Sequence, residues 1–400
     1  MTPDAHHRGV LVTMTARPSA IGGYEDWPAW LTGRRLLDGD ALTTRLAAAL
    51  GVPAPGPAPV VRTVREWDRD GVTVAELEWS TGVGPPTRAW TVRPARADGP
   101  LPGVLLLHCH AGVKSVGAER LVRTPEPTAV AEQLRRDLYE GRAFAEDLAR
   151  RGFVVLAHDT FGWGSRRFVL DPPPASIAAQ GSLAVAALAG ADAPTDPDRA
   201  GAATAVAEAG QPDDAAYDVA AGLHEHVVAK AAGLLGTSFA GMVAHDDLVA
   251  ASVLRALPGV DPARTGAAGF SGGGGRAATL AALDPQVRAS AVVAMMTTTA
   301  ALFPAFADAH SWLLATPGLL HRTGLPEIAA ARGAHDLLVL SFDGDELFPP
   351  DGVRAAHAEL RERFPGAAGS LEEAILPGGH VFSVGAQERV GAFLERSLAG

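Results

Sequence analysis

Cysteine occurs once in the 400 residues, at Cys109. A single cysteine excludes an intramolecular disulfide and a zinc site built on cysteines, and it fits a reducing compartment. Clustered positive charge is also missing: 34 Lys and Arg stand against 45 Asp and Glu, for a formal charge of −11 and a pI near 5.6. With no run of basic residues interleaved with aromatics, nucleic acid is not an expected partner. The third absence is a long uninterrupted apolar run. The longest, Ala289–Ala307, carries Thr297, Thr298, Thr299 and Pro304, so it reads as a buried strand leaving into a loop and predicts no membrane partner. Met1–Ser19 is broken by Pro3, Asp4, His6, His7 and Arg8. It therefore lacks the apolar centre of a signal peptide, and cytoplasmic residence is the expectation.

What is present is ordinary material for a large core: 47% hydrophobic and 20% charged residues. Tyr24–Leu50 has an apolar stripe through Trp27, Trp30, Leu31, Leu42, Leu46 and Leu50, with Gly51 and Pro53 as stop signals, and predicts a helix. Alternating segments around Val60–Trp67, Val72–Trp79 and Thr87–Val92 predict antiparallel strands. Gly103–His108 and Phe153–Asp159 are continuous apolar runs, as in strands buried on both faces, and a helix expected over Leu134–Arg151 joins them into a βαβ unit. From Asp171 to about Gln211 the composition turns to Ala, Gly, Pro and Asp, which predicts an insertion. Helices are expected over Tyr217–Leu235 and Met242–Leu257. Further strands are expected at Ala289–Met295, Leu337–Phe342 and Leu371–Leu376, with a last helix over Ala386–Leu398.

The chain's chemistry centres on Gly269-Phe270-Ser271-Gly272-Gly273, where a short apolar run ends and an Ala-rich helical stretch begins. A serine on a sharp strand-to-helix turn is a nucleophile elbow, and the glycines beside it relieve crowding. The helix starting at Gly272 directs N–H groups at a developing oxyanion. The alternative is a simple Gly-rich turn, since a lone G-x-S-x-G pattern is weak in a chain with 45 glycines.

A serine hydroxyl needs a histidine to take its proton and an acid to orient that histidine. Asp345 follows a predicted strand 74 positions after Ser271, and His380 follows the last strand 35 positions later. All three fall at strand C-terminal ends, where an open α/β sheet places its site. Asp343 and Glu346 compete with Asp345, and either could instead be a turn or cap residue. A second serine, Ser238, follows helical sequence and reads as a cap. The second oxyanion donor is expected from the backbone of Cys109 or His110, beside that of Gly272. Trp163 and His110 are the side chains expected to touch substrate, with an ordinary core tryptophan as the alternative for Trp163. His108, His110 and His158 lack metal-ligand spacing, so no metal is expected.

These stretches resemble the α/β-hydrolase superfamily, and within it the dienelactone hydrolase and acetyl xylan esterase-like branch. The likeness rests on Leu105–Gly112, Leu148–Asp159, Val260–Gly273, Asp345-Glu346-Leu347-Phe348-Pro349 and Gly378-Gly379-His380, spread over most of Gly103–Leu398. Dienelactone hydrolases carry cysteine at the elbow, where this chain has Ser271. His-Cys-His-Ala-Gly replaces the more usual oxyanion loop, and the insertion has no counterpart. The resemblance implies an ester-cleaving hydrolase with Ser271, Asp345 and His380 in its triad, a small-molecule substrate and no cofactor. Peptidase or amidase action, or acyl transfer or lyase action in biosynthesis, would use the same residues.

The expected fold is α/β, an α/β-hydrolase with a mostly parallel sheet of about eight strands flanked by helices. Residues 1–58 would form an N-terminal helical extension. Residues 59–400 would form the hydrolase domain, with an inserted cap at about 171–240 closing over Ser271. A homo-oligomer is left open.

Overall fold

The computed structural model describes residues 17–30, 39–54, 56–190, 212–364 and 368–399. One sheet of nine strands runs through the molecule: β1 (Arg62–Arg69), β2 (Val72–Trp79), β3 (Thr87–Pro94), β4 (Leu101–Leu107), β5 (Val154–His158), β6 (Val260–Phe270), β7 (Val287–Val293), β8 (Asp336–Phe342) and β9 (Leu371–Leu376). Their order is β1-β2-β3-β5-β4-β6-β7-β8-β9. Pairing is antiparallel from β1 to β5 and parallel from β5 to β9. All nine lie on segments expected as strands, one more than the total of about eight, and β1, largely exposed on both faces, is the edge strand beside the hairpin of β2 and β3.

β4 shows how the sequence builds the layers. Alternate side chains of a strand point to opposite faces. Val104 and Leu106 accordingly join one core with Phe144, Phe153 and Phe393, while Leu105 and Leu107 join another with Leu254, Ala277 and Leu280. Each fully buried leucine contributes about 2 kcal/mol, so a strand apolar on both faces is stable only with helices on both sides. The chain runs from β4 to β5 on one side, and β6 then pairs on the other side of β4. The crevice at the C-terminal ends of β4 and β6 is therefore the topological switch point, the place where such sheets bind ligands.

The helix Gly39–Leu50 buries Leu42, Leu46 and Leu50 against Ala278 and Ala282 of the helix Gly272–Leu283, and ends at Gly51 with φ 63°. One turn, Trp27–Trp30, precedes it, and the part of the expected helix between them lies outside the described residues. The single helix expected over Leu134–Arg151 is two, Ala129–Tyr139 and Phe144–Arg150. Glu140 and Gly141 separate them by taking left-handed φ values of 49° and 76°.

The segment expected as an inserted cap, about 171–240, holds helices Ala175–Gly190 and Pro212–Leu234, which pack on each other; residues 191–211 lie outside the described residues. Helix Phe239–Ala256 follows, capped by Ser238, whose Oγ accepts from Gly241 N at 2.9 Å. Ser238 is thus the cap residue its sequence context suggests. Among the described residues no single helix is long and apolar enough to cross a membrane. Asp214–Leu234 and Phe239–Ala256 reach that length only together, across an 85° bend.

Candidate active site

β6 ends in a sharp turn at Ser271, which has φ 56° and ψ −128°, and the helix Gly272–Leu283 starts at the next residue. Left-handed φ is strained for a non-glycine residue and persists where surrounding contacts impose it. Here Ser271 N donates to Val293 O at 2.8 Å, and Gly274 N to Ser271 O at 2.8 Å. The flanking glycines are needed for space. A Cβ on Gly269 would lie 2.2 Å from the Gly273 backbone, and one on Gly273 would lie 2.1 Å from Leu107 O.

Three chain segments meet at this turn. Ser271 Oγ is 2.8 Å from His380 Nε2, and His380 Nδ1 is 2.7 Å from Asp345 Oδ2. With Nδ1–H donating to the carboxylate, Nε2 is left to accept the serine proton. Asp345 Oδ1 accepts from Leu347 N at 3.0 Å, which fixes the acid from its other side. The competing Asp343 is used elsewhere, accepting from Gly378 N at 3.1 Å at the base of the histidine loop. Phe270 packs against the His380 ring at 4.8 Å between centroids and stacks on Phe382, so the imidazole has a rigid wall.

A second series of the same residue types shows what else a nucleophile requires. Ser341 Oγ meets His357 Nε2 at 2.9 Å, and His357 Nδ1 pairs with Glu373. Ser341 lies within β8, in extended backbone, and is 3% exposed. A substrate could not reach a serine buried to this degree.

The two expected oxyanion loop residues part company. Cys109 N donates to Tyr139 Oη at 3.3 Å, so that amide already has a partner within the protein. His110 N lies beside Gly272, 3.2 Å from where a Gly272 Cβ would stand. His110 and Gly272 thus present adjacent amides, and the first N–H groups of a helix have no partner within it. Cys109 is buried, with its Sγ 3.3 Å from Arg120 Nη1.

Trp163 does not line the cleft as expected. It is 1% exposed, its ring held edge-on to His108 and His110 and packed on Phe239. The alternative of a core tryptophan is what the packing gives, and its effect at the site is to back the His110 ring. The three histidines weighed as metal ligands face different partners. His158 Nε2 faces Asp247 at 3.1 Å, His110 Nε2 faces Glu225 at 3.6 Å, and His108 Nδ1 pairs with Cys109 O. No group of three or more His, Cys, Asp or Glu among the described residues could hold a metal ion. A cavity of about 530 Å³ lined by Arg88, Asp159, Arg167 and Tyr217 excludes Ser271, so chemistry rather than cavity size locates the site.

Sequence reasoning missed the buried charges around this turn. Lys114, 1% exposed, sits 2.6 Å from Glu225 Oε2 and 3.6 Å from the centroid of the Trp163 ring. Burial alone would raise the Glu225 carboxyl, but His110 and Lys114 outweigh it and hold the group down at about 2. Burial lowers the Lys114 ammonium, against the pull of Glu225. No motif marks Glu225, one acid in an Ala-rich helix whose partner lies 111 positions earlier.

A nine-stranded sheet with this switch point, an elbow serine at the end of β6, and an acid and histidine after β8 and β9 defines the α/β-hydrolase fold, which this chain has. No family model matches it. A Bacillus subtilis (strain 168) protein named "Putative hydrolase YtaP" is 23% identical over 307 residues, covering 76% of this chain and 81% of that protein. A crystal structure from Bacteroides fragilis NCTC 9343, named a "putative acetyl xylan esterase", has a TM-score of 0.61 at 15% identity, covering 89% of this chain and 82% of its own. Glucuronoyl esterase from Solibacter usitatus has a TM-score of 0.54 at 14% identity, covering 91% and 95%.

Proposed function

We propose that the chain is a serine hydrolase that cleaves a carboxylic ester of a small molecule through an acyl-enzyme. The observation that carries this reading is the unbroken series from Ser271 Oγ through His380 to Asp345, at 2.8 and 2.7 Å, on a serine held at left-handed φ. Ser271 Oγ attacks the ester carbonyl while His380 Nε2 takes its proton. Asp345 keeps the proton of Nδ1 in place and stabilises the imidazolium that forms. The negative charge on the carbonyl oxygen is received by the amides of Gly272 and His110 at the helix start. Collapse of this intermediate expels the alcohol, which takes the proton back from His380. Water then repeats the sequence on the acyl-enzyme and releases the acid. The chemistry requires no cofactor.

The esterase names of the structural neighbours support an ester over an amide as the substrate class. Leu313, whose Cδ2 lies 3.1 Å from where a Gly272 Cβ would stand, gives the site an apolar wall that suits a compact acyl group. A fluorophosphonate probe should label the protein and fail to label Ser271→Ala. Ser271→Ala and His380→Ala should each lower kcat on p-nitrophenyl esters by about three orders of magnitude or more with an unchanged melting temperature, while p-nitroanilides should be poor substrates. Full activity in either variant would sink the proposal.

A further inference from the structure

The helix Pro212–Leu234 turns two carboxylates toward the loop that follows β4. Asp218 and Glu225 are seven residues apart, about two helical turns, and so share a face. Asp218 takes the loop by its backbone: Oδ1 accepts from Lys114 N and Ser115 N, both at 2.7 Å, and Oδ2 accepts from Ser115 Oγ at 2.8 Å. Glu225 takes it by its side chains, pairing with Lys114 Nζ at 2.6 Å and facing His110 Nε2 at 3.6 Å. Its other oxygen, Oε1, accepts from Trp312 N at 2.8 Å.

The geometry of His110 gives these contacts their consequence. Its Nδ1 accepts from Gly112 N at 2.9 Å, so in the neutral ring the proton lies on Nε2 and points to Glu225. Ala111 and Gly112 that follow both take left-handed φ, 57° and 66°. Such a turn keeps its shape only if its surroundings impose it, and here the imposing contacts are the His110 ring bond, the Trp163 edge and Glu225. Trp312 and Leu313 form the opposite wall, with Leu313 Cδ2 3.1 Å from where a Gly272 Cβ would stand. One cap carboxylate thus bridges both walls around Gly272.

Resting on the serine-hydrolase reading above, we propose that Glu225 is a positioning residue that sets the His110 amide against that of Gly272, so that oxyanion stabilisation depends on the seated cap helix. Glu225 does not touch substrate. It acts through His110 and Trp312, and its loss is felt where charge develops, not where substrate first binds.

The test uses the full chain, p-nitrophenyl acetate as substrate and a trifluoromethyl ketone as a mimic of the tetrahedral intermediate. Glu225→Gln leaves the buried Lys114 ammonium without its counter-charge, so the double variant Lys114→Met/Glu225→Leu, in which apolar groups replace both charges, is made beside it; such replacements of a buried pair are commonly tolerated. In both, kcat should fall about 10- to 100-fold, the loss that a displacement of about 1 Å at the reacting centre brings. KM should change less than threefold, and the ketone should bind more weakly by the factor lost in kcat/KM. Return of kcat to the wild-type value in the double variant would reduce Glu225 to a counter-ion and overturn the proposal. So would a rise in KM at unchanged kcat, or loss of folding in both variants. Full hydrolysis by Ser271→Ala would instead defeat the serine-hydrolase reading, an outcome separable from all of these.

Discussion

Arg276, on the first turns of the helix that follows Ser271, forks onto Asp247 with Nη2 2.6 Å and Nε 3.0 Å from the two carboxylate oxygens, and both side chains are 2% exposed. Arg276 Nη1 also donates to His108 O, and Asp247 reaches His158 Nε2 at 3.1 Å, so the pair ties the elbow helix to the ends of β4 and β5. Burial would raise the Asp247 carboxyl, but Arg276 and His158 hold it below the usual range. Breaking one member leaves an uncompensated buried charge, which costs about 3–5 kcal/mol. Arg276→Met alone should therefore lower unfolding free energy in urea by that amount. Arg276→Met combined with Asp247→Leu should recover much of it. Equal stability of the single variant and wild type would show that solvent reaches the pair.

Asp345 and Asp343 stand two residues apart in one loop and do different work, the first orienting His380 and the second accepting from Gly378 N. Asp345→Asn offers the imidazole an amide that can present N–H to Nδ1 and favour the wrong tautomer, which should lower kcat by about 10³- to 10⁴-fold. Asp343→Asn keeps an oxygen for Gly378 N and should cost less than about 1 kcal/mol of stability and little rate. Steady-state kinetics on the two variants decides the matter; a larger loss at Asp343 would reassign the acid.

These two pairs also mark the limit of what the sequence discloses. The meeting of Ser271, Asp345 and His380 is legible because each follows closely on a segment expected as a strand, and the strand order puts those strand ends near one another. Those of Arg276 and Asp247, or Lys114 and Glu225, are not. A buried ion pair carries no periodic signal, and its partners meet only when the helices dock. The sequence also placed Cys109 and His110 equally well as oxyanion donors. In the structure the phenol of Tyr139, 30 positions away, accepts from the Cys109 amide and so distinguishes the two backbones. Trp163 as site wall or core residue stays open in the sequence for a similar reason, since its burial behind His110 depends on Phe239, on a helix 76 positions later.

Gly273 admits no side chain, because a Cβ there would stand 2.1 Å from Leu107 O and 2.9 Å from His108 O. The contact is with backbone, so relief requires the elbow helix to move away from β4, and with it the Gly272 amide. Gly273→Ala should abolish fluorophosphonate labelling and lower the melting temperature. Gly275→Ala, where the Cβ would meet only the flexible Met295 side chain at 3.2 Å, should retain labelling and most activity. Full labelling of Gly273→Ala would show that the elbow is looser than these distances require.

Burial pushes two histidines of the folded chain down to about 4 from an ordinary value of 6.5: His310, beside Phe348, and His335, where the Arg332 guanidinium adds to the effect. Burial lowers His108, His110 and His357 in the same direction. In the unfolded chain these rings protonate near 6.5, so between about pH 6.5 and 4 the unfolded state binds more protons. Stability must then fall as the pH drops through that window. Asp159 and Asp218, raised by burial, work the other way and soften the fall. His335 lies away from Ser271 and isolates the effect. His335→Gln removes one titrating ring, so the difference in unfolding free energy between pH 7.5 and 4.5 should shrink by about 2 kcal/mol relative to wild type. Urea titrations at the two pH values measure it. An unchanged difference would mean that the His335 ring protonates in the folded protein as readily as in the unfolded one.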